Sequence, residues 1–131
     1  MKNTSIKYID DWKQSPMAFW VHVEIDSKPW YKSEKFNPPA PIQIGAKGYL
    51  QLTIEFNGFS FLFTSEEQLN EFIEIMERKL LPSTIELSAK RSATKGPNSH
   101  WLSRLPGKTK PWKYREKLVK YCKEVQFPNR L

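Results

Sequence analysis

The chain predicts an α+β fold: a three- to four-stranded antiparallel sheet with two helices on one of its faces. Three observations carry this. Leu50, Leu52, Ile54 and Phe56 alternate with Gln51, Thr53 and Glu55, and Phe59, Phe61 and Phe63 resume the alternation after Asn57-Gly58. Two later segments, about 65–80 and 111–125, place apolar residues at helical spacing. Residues 17–26 again show period two, with Phe19, Val21, Val23 and Ile25 on one side. Period two marks a strand buried on one face, and a period near 3.6 marks an amphipathic helix.

The hairpin 48–64 is the most explicit of these. Asn-Gly is the favoured pair for a two-residue type I′ turn, because both central residues take positive φ. Such a turn sets Phe56 opposite Phe59, Ile54 opposite Phe61 and Leu52 opposite Phe63. All six side chains then share one face. Pattern and turn chemistry agree on a single register, and agreement across levels is what specifies a fold.

The helix at about 65–80 begins at Thr64 or Ser65. Either gives a capping box, Thr64 with Glu67 or Ser65 with Gln68. Leu69, Phe72, Ile73, Met76 and Leu80 share its apolar side. Glu66 and Glu67 open it and Arg78 and Lys79 close it, as the helix dipole favours. Leu81-Pro82 marks its end, since a residue before proline avoids the α region. The last helix carries Pro111 near its first turn, where the missing N–H costs nothing. Its apolar side is Tyr114, Leu118, Tyr121, Cys122 and Val125, opposite Lys113, Lys117, Lys120 and Lys123.

The remaining segments carry weaker patterns. Ile6, Ile9 and Trp12 suit one side of a short helix capped by Thr4 or Ser5. The strand 17–26 is expected to join the hairpin, leaving Trp20 and His22 on the opposite sheet face. Residues 27–47 form a long connection with four prolines and with Trp30, Tyr31 and Phe36 among lysines. A loop of that length is functional, or else folds its aromatics back over the core edge. Ile42 to Ile44 suggests a short edge strand, and Thr84 to Leu87 a short strand. Residues 88–98 are small and basic and read as a mobile loop. Asn98 or Ser99 caps a turn through Trp101, Leu102 and Leu105.

At 131 residues the chain is read as a single domain, 1–131. It holds one cysteine, Cys122, so no intrachain disulfide forms. No stretch approaches the roughly 20 apolar residues that span a bilayer. Together these suggest a cytoplasmic protein with no membrane partner.

The net charge of +7 is unevenly divided. Residues 1–87 hold nine basic and twelve acidic residues, and residues 88–131 hold twelve basic and two acidic. The resulting −3 and +10 point to an anionic partner for the last third.

No cofactor or metal is expected. His22, His100 and Cys122 are the only imidazoles and thiol, and no two lie at ligand spacing. Asp10, Asp11, Glu24 and Asp26 have no spacing that singles out a cation site. No catalytic residue is assigned, since no nucleophile or phosphate-cradling motif occurs. The expected function is a non-enzymatic binding module for nucleic acid or another polyanion. Its contacts would be Lys90, Arg91, Lys95, Arg104, Lys108, Lys110, Trp112, Lys113 and Arg115. Basic groups neutralise phosphates, and interleaved aromatics stack on unpaired bases. Asn98, Ser99 and His100 group an amide, a hydroxyl and an imidazole suited to a phosphate or ligand. A second reading is a protein-interaction or homodimerisation module using the open sheet face and the 27–47 loop. A third is an enzyme with His22 or His100 beside a carboxylate in a pocket.

Overall fold

A computed structural model describes residues 2–83, 86–87 and 100–127. Its main sheet has three antiparallel strands: β1 (Lys2–Ile9), β4 (Tyr49–Phe56) and β5 (Phe59–Phe63), in the order β1-β4-β5. A two-stranded sheet pairs β2 (Val23–Glu24) with β3 (Phe36–Asn37). The helices are α1 (Ala18–Val21), α2 (Glu66–Met76) and α3 (Trp112–Glu124). The α+β class stands, as does a sheet packed on one face by the second and last helices.

The hairpin takes the expected register, with Phe56 opposite Phe59, Ile54 opposite Phe61 and Leu52 opposite Phe63. Asn57 and Gly58 have φ of 51° and 84°, as a type I′ turn requires. The core fills the space beneath this face. Leu52, Ile54, Phe56, Phe61 and Phe63 meet Leu69, Phe72, Ile75 and Met76 of α2 and Leu118, Val119 and Cys122 of α3. Tyr114 ties α3 to the hairpin by donating its hydroxyl to the Phe56 carbonyl at 3.1 Å.

The third strand is not the one expected. Residues 17–26 do not form a strand of the main sheet. Ala18–Val21 is one helical turn, and only Val23–Glu24 is extended, in the small sheet. Met17, Ala18, Phe19 and His22 are the buried members, and Ala18 and His22 stand one helical turn apart, a spacing that the run of alternating apolar residues masked. The third strand is Lys2–Ile9, where a helix was expected. It pairs along its whole length with β4, from Lys2 opposite Phe56 to Ile9 opposite Tyr49. Its side chains are nearly all exposed, Ile6 and Tyr8 included. A strand open on both faces shows no alternation, which hid it in the sequence.

Ser65 is the cap of α2, and its hydroxyl accepts the Gln68 N–H at 3.2 Å. The reciprocal bond goes one residue further back, from Thr64 N–H to Gln68 Oε1 at 3.0 Å. The helix stops at Met76, four residues short of the expected end, and Leu80 is 87% exposed. Arg115 supplies the physical reason. Its guanidinium donates to the carbonyls of Met76 (3.1 Å), Arg78 and Lys79 (3.0 Å), and its Nε donates to Lys110 O (2.7 Å). Carbonyls at a helix C-terminus lack intrahelical partners, and one arginine here takes that of Met76 together with two just beyond the helix end. α3 spans Trp112–Glu124 with Pro111 at its cap, close to expectation.

The 27–47 connection folds back on the core. Phe36 is buried against Trp12, and Trp30 packs edge-on to both. The Asp26 carboxylate gathers this loop by accepting from Ser33 Oγ (2.6 Å), Glu34 N (2.9 Å) and Lys35 N (3.3 Å). The Ser33 hydroxyl, then the Glu34 amide, hold that carboxyl well below its usual range. Ile42–Ile44 forms no strand beyond a single bridge from Ile44 to Gly48. Glu86 and Leu87 are helical, not extended. The basic segment 88–98 lies outside the described residues.

Candidate functional site

Lys90, Arg91, Lys95, Asn98 and Ser99 also lie outside the described residues. The other expected contacts divide into two groups. Arg104, Lys108 and Lys113 are exposed, and Lys110 and Trp112 are half-buried. These five fall on one short path. A turn over His100–Leu105 is closed by bonds from Ser103 N to His100 O and from Arg104 N to Trp101 O. Trp101 and Leu102 anchor it in the core. A 3-10 turn, Gly107–Thr109, then leads through Pro111 into α3. From His100 to Arg115 the sequence holds no acidic residue. Among the described residues, Arg104, Lys108, Lys110 and Lys113 enter no ion pair, whereas Lys123 further along α3 pairs with Glu77 at 2.7 Å.

Arg115 and His100 belong to the second group and correct the expectation. Arg115 is 3% exposed and its donors are committed to backbone carbonyls. It holds α3 against the end of α2 and cannot reach a polyanion. A basic residue on a lysine-rich helix reads as solvated, so no sequence signal distinguished it. His100 is 2% exposed, beside Trp20 at 4.7 Å between ring centroids. Its Nδ1 accepts the Leu102 N–H at 3.1 Å, and burial pushes its pKa down to about 4. The ring is neutral at pH 7 and serves the turn rather than a phosphate.

His22 is completely buried, not on an open sheet face. Its Nδ1 lies 3.0 Å from the Pro38 carbonyl oxygen and its Nε2 lies 2.9 Å from Ser65 Oγ. A carbonyl only accepts, so Nδ1 carries the hydrogen and Nε2 accepts from the serine hydroxyl. Burial lowers its pKa, more than the Pro38 bond raises it. The pair resembles a nucleophile and base in distance but is sealed from solvent. Among the described residues no group of three or more His, Cys, Asp or Glu gathers as a metal site. No helix among them is long and apolar enough to cross a membrane.

A cleft of about 630 Å³ runs along β5 and is walled by Trp20, Trp30 and Trp101, with Lys13 and Arg104 among its lining. Neither His22 nor His100 lines it. The sequence could not assemble it, because its walls come from five separated segments. The aromatic content of residues 19–36 was the only available signal. Compared with protein-family models, curated proteins and solved structures, the chain finds no match in any of the three.

Proposed function

We propose that the protein is a non-enzymatic module that contacts nucleic acid through the segment 104–113. Arg104, Lys108, Lys110 and Lys113 are the phosphate-contacting cations, with Trp112 beside them for stacking. One observation carries this reading: a run from His100 to Arg115 without a single acid, whose four available cations are unpaired among the described residues. Surface lysines with acidic neighbours neutralise each other, as Lys123 and Glu77 do. Unpaired ones release counterions from a phosphate backbone when they bind it. The acidic residues of α2 would repel the same partner, which favours approach from the α3 N-terminal side.

The reading is tested by the triple charge reversal K108E/K110E/K113E. It removes three of the four cations and touches no core side chain. Oligonucleotide affinity at low salt is expected to fall by at least about 100-fold, with an unchanged melting temperature. Retained affinity in the folded variant would overturn the assignment.

A further inference from the structure

The aromatic cleft borders a sheet edge, and the register shows which backbone groups face it. Phe56 and Phe59 close a two-residue turn and so form a hydrogen-bonded pair. Antiparallel pairs alternate between bonded and non-bonded. Ile54–Phe61 and Leu52–Phe63 are therefore the other bonded pairs, and Ser60 and Leu62 turn their N–H and C=O groups away from β4. β5 is the last strand of the sheet among the described residues. All five of its residues, Phe59 to Phe63, line the cleft.

The two sheet edges differ. β1, at the far side, carries Lys2 and Lys7, and edge lysines discourage strand addition. β5 reads Phe-Ser-Phe-Leu-Phe, with no charge and no proline. An unprotected edge of this kind is a template for another strand. Here it lies at the base of an aromatic cleft rather than on open surface. Apolar walls suit alternate side chains of an added strand, while its main chain bonds the edge. The charges are one-sided as well. Among the described residues no Asp or Glu lines the cleft, whereas Lys13 and Arg104 do. Lys13 is fixed there, its ammonium donating to Ser33 O at 2.8 Å and lying 5.7 Å from the centroid of the Trp30 ring.

We propose that this cleft binds an extended peptide segment of a partner protein, which adds as a strand to β5. The peptide alternates apolar side chains, for the Trp20, Trp30 and Trp101 walls, with acidic ones that meet Lys13 and Arg104. Ser60 and Leu62 supply the main-chain bonds. The inference stands apart from the nucleic-acid reading and shares only Arg104 with it.

The test uses the full chain in two stages. Amide hydrogen exchange is measured first. Ser60 and Leu62 should exchange fast in the free protein, while Phe61 is protected by its ladder bond. Equal protection of Ser60 and Leu62 means that the edge is already covered, and overturns the proposal. A displayed library of random octapeptides is then panned on the protein. Recovered peptides should alternate apolar residues, be enriched in Asp and Glu, and slow exchange at Ser60 and Leu62. N-methylation of the peptide at alternate amides should weaken binding at least about tenfold, through loss of two or more main-chain bonds. The folded variant R104E should lose the acidic preference. Recovery of no peptides, peptides that leave Ser60 and Leu62 unprotected, or occupancy of the cleft by a single-stranded oligonucleotide instead would each overturn it.

Discussion

The Nε2 atom of His22 lies 2.9 Å from the hydroxyl of Ser65, and both groups are buried. This contact joins the N-terminus of α2 to the loop that carries Pro38, through the imidazole bond to the Pro38 carbonyl. Beside it, Gln68 donates to Thr64 Oγ1 at 2.7 Å and accepts from Ser15 Oγ at 3.2 Å. Two segments distant in sequence are thus fastened to one helix cap by neutral polar groups. Such a network stabilises only while every member keeps its protonation state.

Acid should therefore weaken the fold in a defined window. Burial holds the pKa values of His22 and His100 below their ordinary 6.5, to about 4 for His100. As pH falls below about 6.5, the unfolded chain takes up protons that the folded chain refuses. Stability is complete above that pH and is lost on the way down toward about 4. Denaturant midpoints measured from pH 8 to pH 4 should fall most steeply between 6.5 and 4. His22→Gln should lower stability by about 1–3 kcal/mol at pH 7 and flatten the slope, since it removes one titrating group and disturbs one buried network.

Arg115 is a structural residue, and its substitution should separate stability from binding. A lysine in its place has no planar fork for several carbonyls. Arg115→Lys is expected to cost about 2–4 kcal/mol, because helix-end carbonyls are left buried without donors. The salt dependence of oligonucleotide binding should stay that of the parent protein. A melting temperature unchanged by Arg115→Lys would remove the clamp from the account.

Two glycines allow a comparison of strain with crowding. Gly58 has φ of 84° in the turn, and a Cβ there would meet nothing. Gly48 has φ of 98°, and a Cβ there would collide with the Ile9 carbonyl oxygen of β1. Gly58→Ala should cost about 1 kcal/mol from conformation alone. Gly48→Ala should cost clearly more, about 2–4 kcal/mol, by pushing β1 from β4. Thermal unfolding of the two variants gives the difference.

Cys122 offers a check on the packing of α3. The thiol is fully buried, and burial pushes its pKa up to about 12. The thiolate is the reactive form, so an alkylating reagent at pH 8 should leave native protein unmodified. Labelling should appear with the same denaturant midpoint as loss of helix signal.

Legibility in the sequence followed the strength of local pattern. The hairpin and α2 declared themselves because turn chemistry, alternation and capping pointed to one answer in a short span. β1 did not, since Lys2–Ile9 buries almost nothing and its strand character comes from pairing with β4. Residues 17–26 misled, because alternation over a few residues does not tell a helical turn from a strand. The exposed cations Arg104, Lys108 and Lys113 could be read from composition. The burial of Arg115 and His100 could not, since it depends on carbonyls and rings brought from other segments. The β5 cleft exists only once the 10–30 region folds beside the hairpin, and no linear pattern encodes that meeting.

The central claim is that the cations of residues 104–113 bind phosphate, and a salt titration tests it most directly. Log affinity for an oligonucleotide should fall linearly with log salt, with a slope of about 0.7 per contacted phosphate on single strands and about 0.9 on duplex. Four contacts predict a slope of about −2.8 on single strands and about −3.6 on duplex. The variant K108E/K110E/K113E should flatten that slope by about 2 or more. Absence of measurable binding at about 50 mM salt, or a slope identical in the variant, would contradict the account.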